Sequence, residues 1–137
     1  MRKFKNYFSH YYTVLYNYFD IFFENLLFGN NMDILDLRDF ALSLPDTEEC
    51  QPFGPNHLVF KTKGKMFLLL DLVSSPTTIN YKAVPEDILA QREEFPDSVF
   101  PGYHMNKKHW NTMHLNRYLP QNKVLEFIRT SHSLIKK

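Results

Sequence analysis

A β-hairpin in the middle of the chain is the strongest structural signal in this sequence. His57 to Thr62 has strand composition, Lys63-Gly64 supplies a tight turn, and Lys65 to Leu72 returns as a second strand. The returning strand contains Met66 to Leu70, an apolar run typical of a strand that is buried on both faces. Thr78 to Ala83 then alternates apolar and polar positions and predicts a third strand. These segments place a β-sheet at the centre of the fold.

Helical patterns flank and interrupt these strands. Asp33 caps a helix whose apolar residues recur at helical spacing, and Pro45 stops it. Pro85 begins a second helix and Pro120 opens a third. Trp110 to Leu115 reads as a fourth strand between them. This order predicts an α+β fold in which an antiparallel sheet is covered by helices.

The length and the cysteine content limit the class of protein. A chain of 137 residues, 44% of them hydrophobic, is long enough for one domain with its own core but not for two. The single cysteine, Cys50, cannot form an internal disulfide, which favours a reducing compartment. No stretch approaches about 18 apolar residues without charged or several polar residues, so stable membrane insertion is not expected. We therefore expect a cytoplasmic protein.

Residues 1–31 differ from the domain that residues 32–137 form, and we treat them as an extension. They contain 11 of the 22 aromatic residues and show no clean helical or strand period. A signal peptide is disfavoured, because polar residues interrupt its apolar part and no small-residue cleavage site follows. Two alternatives stay open: a helix appended to the domain, and a helix that lies on a membrane surface.

Charge is distributed unevenly along the rest of the chain. Residues 32–100 carry 12 acidic and 6 basic side chains, whereas residues 101–137 carry 7 basic and 1 acidic. The formal net charge of +1 is therefore a cancellation. The protein is strongly dipolar if the two groups occupy different faces.

Two lysine-rich turns are the best-organised candidate binding feature. Lysines contact phosphates, and an exposed aromatic ring stacks on bases. The candidate nucleic-acid-binding residues are Lys61, Lys63, Lys65, Lys107, Lys108, His109 and Arg117. They predict weak and largely nonspecific DNA binding. The competing interpretation is that these lysines are ordinary solubilising residues at the tips of turns.

The second turn also offers a different kind of site. A small-ligand or protein-interaction module that uses this turn is the alternative function. Its candidate residues are Gly102, Tyr103, His104, Asn106, Trp110 and Asn111. The competing structural interpretation is that they close and pack the turn.

Catalytic motifs are absent from the sequence. We find no phosphate-binding glycine-rich loop, no nucleophile elbow and no zincin motif. Cys50 lies beside Glu48 and Glu49 and lacks the positive surroundings that activate a thiol. We therefore expect no enzymatic activity and no cofactor.

Metal binding is a third alternative function, but we assign no residues to a metal site. His104, His109 and His114 are five residues apart, a spacing that places neighbours on opposite faces of an extended chain. A separate metal hypothesis concerns an acidic ridge on and after the first helix, because hard cations prefer clusters of carboxylate oxygens; the ridge consists of Asp33, Asp36, Asp39, Asp46, Glu48 and Glu49. Such residues are equally expected on the solvated face of a helix.

One long segment connects the domain to a known family. The motifs are Phe53-Gly54-Pro55, Val59-Phe60-Lys61, Gly64-Lys65-Met66-Phe67, Asn80-Tyr81-Lys82, Pro85 and Pro101-Gly102-Tyr103-His104-Met105-Asn106-Lys107-Lys108-His109-Trp110-Asn111-Thr112. Together they resemble the MmcQ/YjbR family from Met32 to about Ile135. The resemblance implies a frataxin-like (CyaY-like) fold, no established catalytic activity, and DNA binding through a double-wing arrangement. The chain departs from the family pattern in residues 1–31 and at Val84, where a helix-capping residue is expected.

Overall fold

The computed structural model describes residues 32–136, so the extension assigned to residues 1–31 lies outside the described residues. Helices and strands alternate along this part of the chain. In chain order they are helix α1 (Ile34–Ser43), strands β1 (Thr47–Cys50), β2 (His57–Thr62), β3 (Lys65–Asp71) and β4 (Thr78–Lys82), helix α2 (Pro85–Glu94), strands β5 (Val99–Pro101) and β6 (Trp110–His114), and helix α3 (Gln121–Ser133).

The helices begin where the sequence predicts. Asp33 and Asp36 form a capping box in which the Asp36 amide donates to the Asp33 carboxylate at 2.9 Å and the Asp33 amide donates to Asp36 at 3.1 Å. Helix α2 begins with Pro85, and the preceding Val84 makes no side-chain capping bond. Helix α3 follows Pro120. The three predicted helices are confirmed.

The sheet has six strands in the order β1-β2-β3-β4-β6-β5, and every pair of neighbours is antiparallel. The four predicted strands are all present and the predicted α+β architecture is confirmed. Strands β1 and β5 are additional and form the two edges. The sequence did not reveal them, because β1 contains the charged Glu48 and Glu49 and β5 has only three residues, ending in Pro101.

The three helices within residues 32–136 cover one face of the sheet and enclose the core. Phe60, Leu68, Ile79 and Met113 from four strands are fully buried against the helices. Helix α2 contributes Ile88, which is 1% exposed, whereas Leu89 is 59% exposed. Leu89 therefore points away from the core although it is apolar, because each helical residue is turned by about 100° from the one before it. None of the helices within residues 32–136 is long and apolar enough to cross a bilayer.

The opposite side of the sheet, which we call the outer face, is not covered by a described helix. A bulge opposite Phe60 and Lys61 allows Phe67 and Leu68 both to be buried. Leu69 then points to the outer face and is half-buried, so β3 is less enclosed than its apolar run predicts. By strand pairing, the outer face also carries His57, Asp71, Asn80 and Thr112.

Candidate functional site

The two lysine-rich turns lie at the same end of the sheet. Strand β4 runs antiparallel to β3 and therefore ends beside the β2–β3 turn, which contains Lys63. Lys82, the last residue of β4, pairs with Trp110, the first residue of β6. The loop that carries Lys107 and Lys108 leads directly into Trp110, so it lies at this end as well.

We call this end of the sheet the basic end. The C-terminal segment reaches it too, because Lys65 Nζ donates to the backbone carbonyl of Lys136 at 3.1 Å. Its cationic side chains are Lys61, Lys63, Lys65, Lys82, Lys107, Lys108 and Lys136, and the exposed His109 lies among them. Lys82 and Lys136 were not predicted, because strand pairing and the path of the chain bring them here.

Several of these lysines are available to an anion. Lys63 and Lys108 are exposed, and their amino groups form no hydrogen bond or ion pair with a described residue. Lys107 Nζ donates to the carbonyl of Gly102 at 3.2 Å, and its other donors are free to bind a phosphate.

Acidic residues reduce the positive charge of the basic end without cancelling it. Glu48 lies directly opposite Lys61 in the β1–β2 pairing. The acidic residues at or beside this end are Asp46, Glu48, Glu86 and Asp87. Arg117 follows β6 at the other end of the sheet, where its guanidinium donates to the Tyr118 hydroxyl at 2.7 Å. The structure groups the predicted lysines and separates Arg117 from them.

The loop of residues 102–109 folds back over the outer face. The Gly102 amide donates to the Trp110 carbonyl at 3.1 Å, and the Tyr103 amide donates to the Thr112 hydroxyl at 3.0 Å. A Cβ atom on Gly102 would lie 2.8 Å from the Trp110 Cβ, so only glycine fits there. His104 has a left-handed φ of 57°, and its ring centroid lies 4.0 Å from that of Tyr103.

Three of the predicted pocket residues hold this loop and do not line a pocket. Trp110 is 9% exposed and lies beneath Gly102. The side chain of Asn106 accepts from the Lys108 amide at 3.0 Å, which stabilises the turn. Asn111 is fully buried on the helix side of the sheet.

A buried polar network fixes the loop to helix α2. Asn111 accepts from Arg92 Nε at 2.7 Å and donates to the Ile88 carbonyl at 3.1 Å. Arg92 also donates to the Lys107 carbonyl at 2.6 Å. The Tyr81 hydroxyl donates to Gln91 at 2.7 Å, and burial raises the pKa of this phenol well above its usual value. The loop that carries Lys107 is thus tied to helix α2 by Arg92, which is itself bonded to the buried Asn111.

A cavity of about 320 Å³ opens on the outer face beside this loop. Its wall includes Phe53, His57, Asp71, Asn80, Tyr103 and His104. Of the predicted pocket residues, Tyr103 and His104 line it, whereas Gly102, Asn106, Trp110 and Asn111 do not. Sequence alternation already placed Asn80 on the outward side of its strand. Phe53, His57 and Asp71 were missed, because they come from separate segments that only the sheet pairing brings together.

The acidic ridge has structural partners in the fold. Asp33 and Asp36 cap helix α1, as described above. Glu49 accepts a hydrogen bond from Arg38 at 2.7 Å, and this bond lowers the pKa of the Glu49 carboxyl. Within residues 32–136, no group of three or more His, Cys, Asp or Glu side chains is arranged to hold a metal ion.

The partly buried position of His114 predicts that the stability of the fold depends on pH. Its ring centroid lies 4.6 Å from that of Phe100, and burial lowers the pKa of its imidazole. The unfolded chain therefore binds a proton more readily, so the stability contribution of neutral His114 is present above about pH 6.5 and is lost below it. We expect the free energy of unfolding to fall less between pH 7 and pH 5 in His114→Gln than in the wild type. His109→Gln, at an exposed position, is the control and should follow the wild type. If the free energy of unfolding of His114→Gln has the same pH profile as that of the wild type, this assignment is contradicted.

Comparison with known proteins relates the chain to one family. The YjbR family model matches residues 42–134. The uncharacterized protein YbdF of Escherichia coli O157:H7 is 39% identical over 98 residues, which cover 72% of this chain and 80% of YbdF. The uncharacterized protein YjbR of Escherichia coli K12 is 25% identical over 101 residues, or 74% of this chain and 85% of that protein. The crystal structure of Deinococcus radiodurans protein DR2400, with a DUF419 domain, is similar with a TM-score of 0.74 and 36% identity over 79% of this chain and 81% of that chain.

Proposed function

This chain belongs to the YjbR family, and we propose that it is a noncatalytic, cytoplasmic DNA-binding protein that contacts phosphates with its basic end. The observation that carries the proposal is the position of the two lysine-rich turns at one end of the sheet. Lys63 projects from a turn between two strands, and Lys107 and Lys108 project from a loop held by Arg92. Lysines on fixed turns meet the backbone of a nucleic acid with little further ordering.

The chemistry of these side chains supports weak, sequence-tolerant binding. Lysine is a point charge that contacts phosphate oxygens and does not by itself distinguish bases. Since Lys61 lies opposite Glu48 and Lys65 donates to the Lys136 carbonyl, not every lysine contributes a full contact. About three to five phosphate contacts then correspond to a slope of about −3 to −4.5 in log affinity against log salt.

The proposal includes a frataxin-like arrangement of the fold. A six-stranded antiparallel sheet with all its described helices on one face supports this arrangement. The outer face and the turns are then open to a partner. The absence of a catalytic motif in the sequence supports a noncatalytic role.

We expect the double variant Lys63→Ala, Lys108→Ala to bind a labelled DNA duplex more weakly than the wild type and with a smaller salt dependence. Each lysine removed takes away about 0.9 from the slope, so the magnitude of the slope falls by about 1.8. Fluorescence anisotropy at several salt concentrations measures both quantities. Both side chains are exposed, so the thermal midpoint should stay close to that of the wild type.

The matched control is Arg117→Ala, Lys123→Ala, which removes the same charge from the other end of the sheet. It should leave affinity and slope nearly unchanged. The proposal fails if the wild type does not bind at tens of micromolar protein in low salt, or if the two double variants weaken binding equally.

A further inference from the structure

The cavity on the outer face has the properties of a site for a flat ring. Phe53 is 61% exposed and Tyr103 is 70% exposed, and both belong to its wall. Aromatic rings that are exposed at the mouth of a cavity leave apolar surface in contact with water unless a partner covers them. The Tyr103 ring contacts the His104 ring, with centroids 4.0 Å apart and planes tilted by 50°, and the bond from the Tyr103 amide to Thr112 fixes the backbone of Tyr103. The structure thus presents a supported aromatic surface for stacking.

The polar groups of the wall have hydrogen-bonding capacity to spare. One oxygen of Asp71, Oδ1, accepts from the amides of Val73 and Ser74 at 3.0 and 3.1 Å. The other oxygen accepts from no described residue, so it remains available to a donor. A charged acceptor in a mainly apolar cavity selects a ligand that carries N–H groups.

The orientation of Asn80 adds a donor beside this acceptor. The Thr112 hydroxyl accepts from the Tyr103 amide, so its own hydrogen is directed to Asn80 Oδ1. The Asn80 amide nitrogen is then the free end of the side chain and can donate to a ligand. Asp71 is opposite Thr78 in the β3–β4 pairing, which makes Asn80 its diagonal neighbour, about 7–8 Å away along the sheet. Two side chains that are diagonal neighbours on one face can contact different edges of one ring system.

His57 leaves one further polar atom without a partner. Its Nδ1 is removed from solvent and forms no hydrogen bond with any residue in the described part of the chain. Such atoms are rare in proteins, because an unsatisfied polar group destabilises the fold. His57 belongs to the cavity wall. If its ring turns toward a bound ligand, Nδ1 can form a hydrogen bond with that ligand.

We propose that the outer-face cavity binds one planar nitrogen heterocycle with an exocyclic amino group, stacked on Tyr103, with the amino group donating to Asp71 and a ring acceptor facing Asn80. The volume of about 320 Å³ is near the lower limit of about 300–1,000 Å³ for ligand pockets, so it takes a single ring system and not a dinucleotide. The ring belongs either to a free nucleoside or to an unpaired base of a single strand. The site is separate from the proposed DNA contact, because none of the described residues in its wall is a lysine.

The test is a calorimetric titration of the full chain with cytidine, uridine, guanosine and inosine. Guanosine differs from inosine only by the amino group whose hydrogen Asp71 is inferred to accept, whereas uridine has a carbonyl in place of the amino group of cytidine and also carries a proton on N3. We expect at least one amino-bearing nucleoside to bind with a Kd of about 1 mM or tighter, and its partner without the amino group to bind about tenfold more weakly. Failure of both amino-bearing nucleosides to bind overturns the proposal.

Variants locate the binding within the cavity. Tyr103→Ser removes the stacking surface and Asp71→Asn removes the charged acceptor while leaving an oxygen for the Val73 and Ser74 amides. Each is expected to weaken nucleoside binding about tenfold. Tyr118→Ser is the matched control, because Tyr118 is 52% exposed but does not belong to the cavity wall. Equal binding by Tyr103→Ser and Tyr118→Ser also overturns the proposal.

A second titration separates the two sources of the ring. A short single-stranded oligonucleotide is compared with the same strand containing abasic positions. Tighter binding of the intact strand, lost in Tyr103→Ser, assigns the cavity to a base within a strand, whereas equal binding of both strands assigns it to a free nucleoside. The variant Lys63→Ala, Lys108→Ala should keep nucleoside affinity in either case, so failure of the DNA proposal is distinguishable from failure of this one.

Discussion

Trp110→Ala is expected to lower the free energy of unfolding by about 3–5 kcal/mol, the range for truncation of a large buried aromatic residue. Trp110 is 9% exposed, and Gly102 lies so close that a Cβ there would be 2.8 Å from the Trp110 Cβ. The truncation leaves a void where the buried indole ring packs. Urea unfolding followed by circular dichroism measures the change, because the variant has no tryptophan fluorescence.

Tyr103→Ala is the matched control for this experiment. Tyr103 is 70% exposed, so its truncation should change the free energy of unfolding by about 0.5 kcal/mol or less. If Trp110→Ala is as stable as Tyr103→Ala, Trp110 does not hold the loop, and its assignment as a packing residue is wrong.

Asn111→Ala is expected to destabilise the fold by about 2–4 kcal/mol, although it removes only a small side chain. Asn111 is fully buried, and its loss leaves the part-buried Arg92 Nε without its acceptor and removes a buried hydrogen bond to the Ile88 carbonyl. Buried groups that lose a hydrogen bond cannot recover it from water. Chemical denaturation gives the stability, and an exposed helical asparagine, in Asn122→Ala, supplies the comparison. A loss in Asn111→Ala no larger than in Asn122→Ala would mean that the network does not stabilise the domain.

The sequence predicts the interior of this fold well and its edges poorly. Met66 to Leu70 and the turn at Lys63-Gly64 are local signals, because apolar periodicity and turn chemistry act over a few residues. Strand β5 has no such signal, since three residues form a strand there only because β6 lies beside them. Leu89 shows the same limit within a helix: its apolar character does not say on which side of the core boundary it lies.

The candidate site is likewise predictable in its local parts and not in the way the fold assembles them. The lysines of each turn are recognisable from residue type, but their common location depends on β4 ending beside the β2–β3 turn and pairing with β6. Strand direction also removes Arg117 from the group. The cavity brings together Asp71 from one strand and Asn80 from the next, and sequence spacing alone does not set that register.

The two outer strands of the described sheet have a consequence for the behaviour of the chain at high concentration. A strand edge exposes backbone groups that a second chain can pair with, and this is the usual route to aggregation. Here β1 has four residues, including Glu48 and Glu49, and β5 has three and ends in Pro101, which lacks an amide hydrogen. Such edges are poor templates for intermolecular pairing. The apolar strand β3, the segment most prone to self-association, lies two strands away from one edge and three from the other, and only unfolding would expose it.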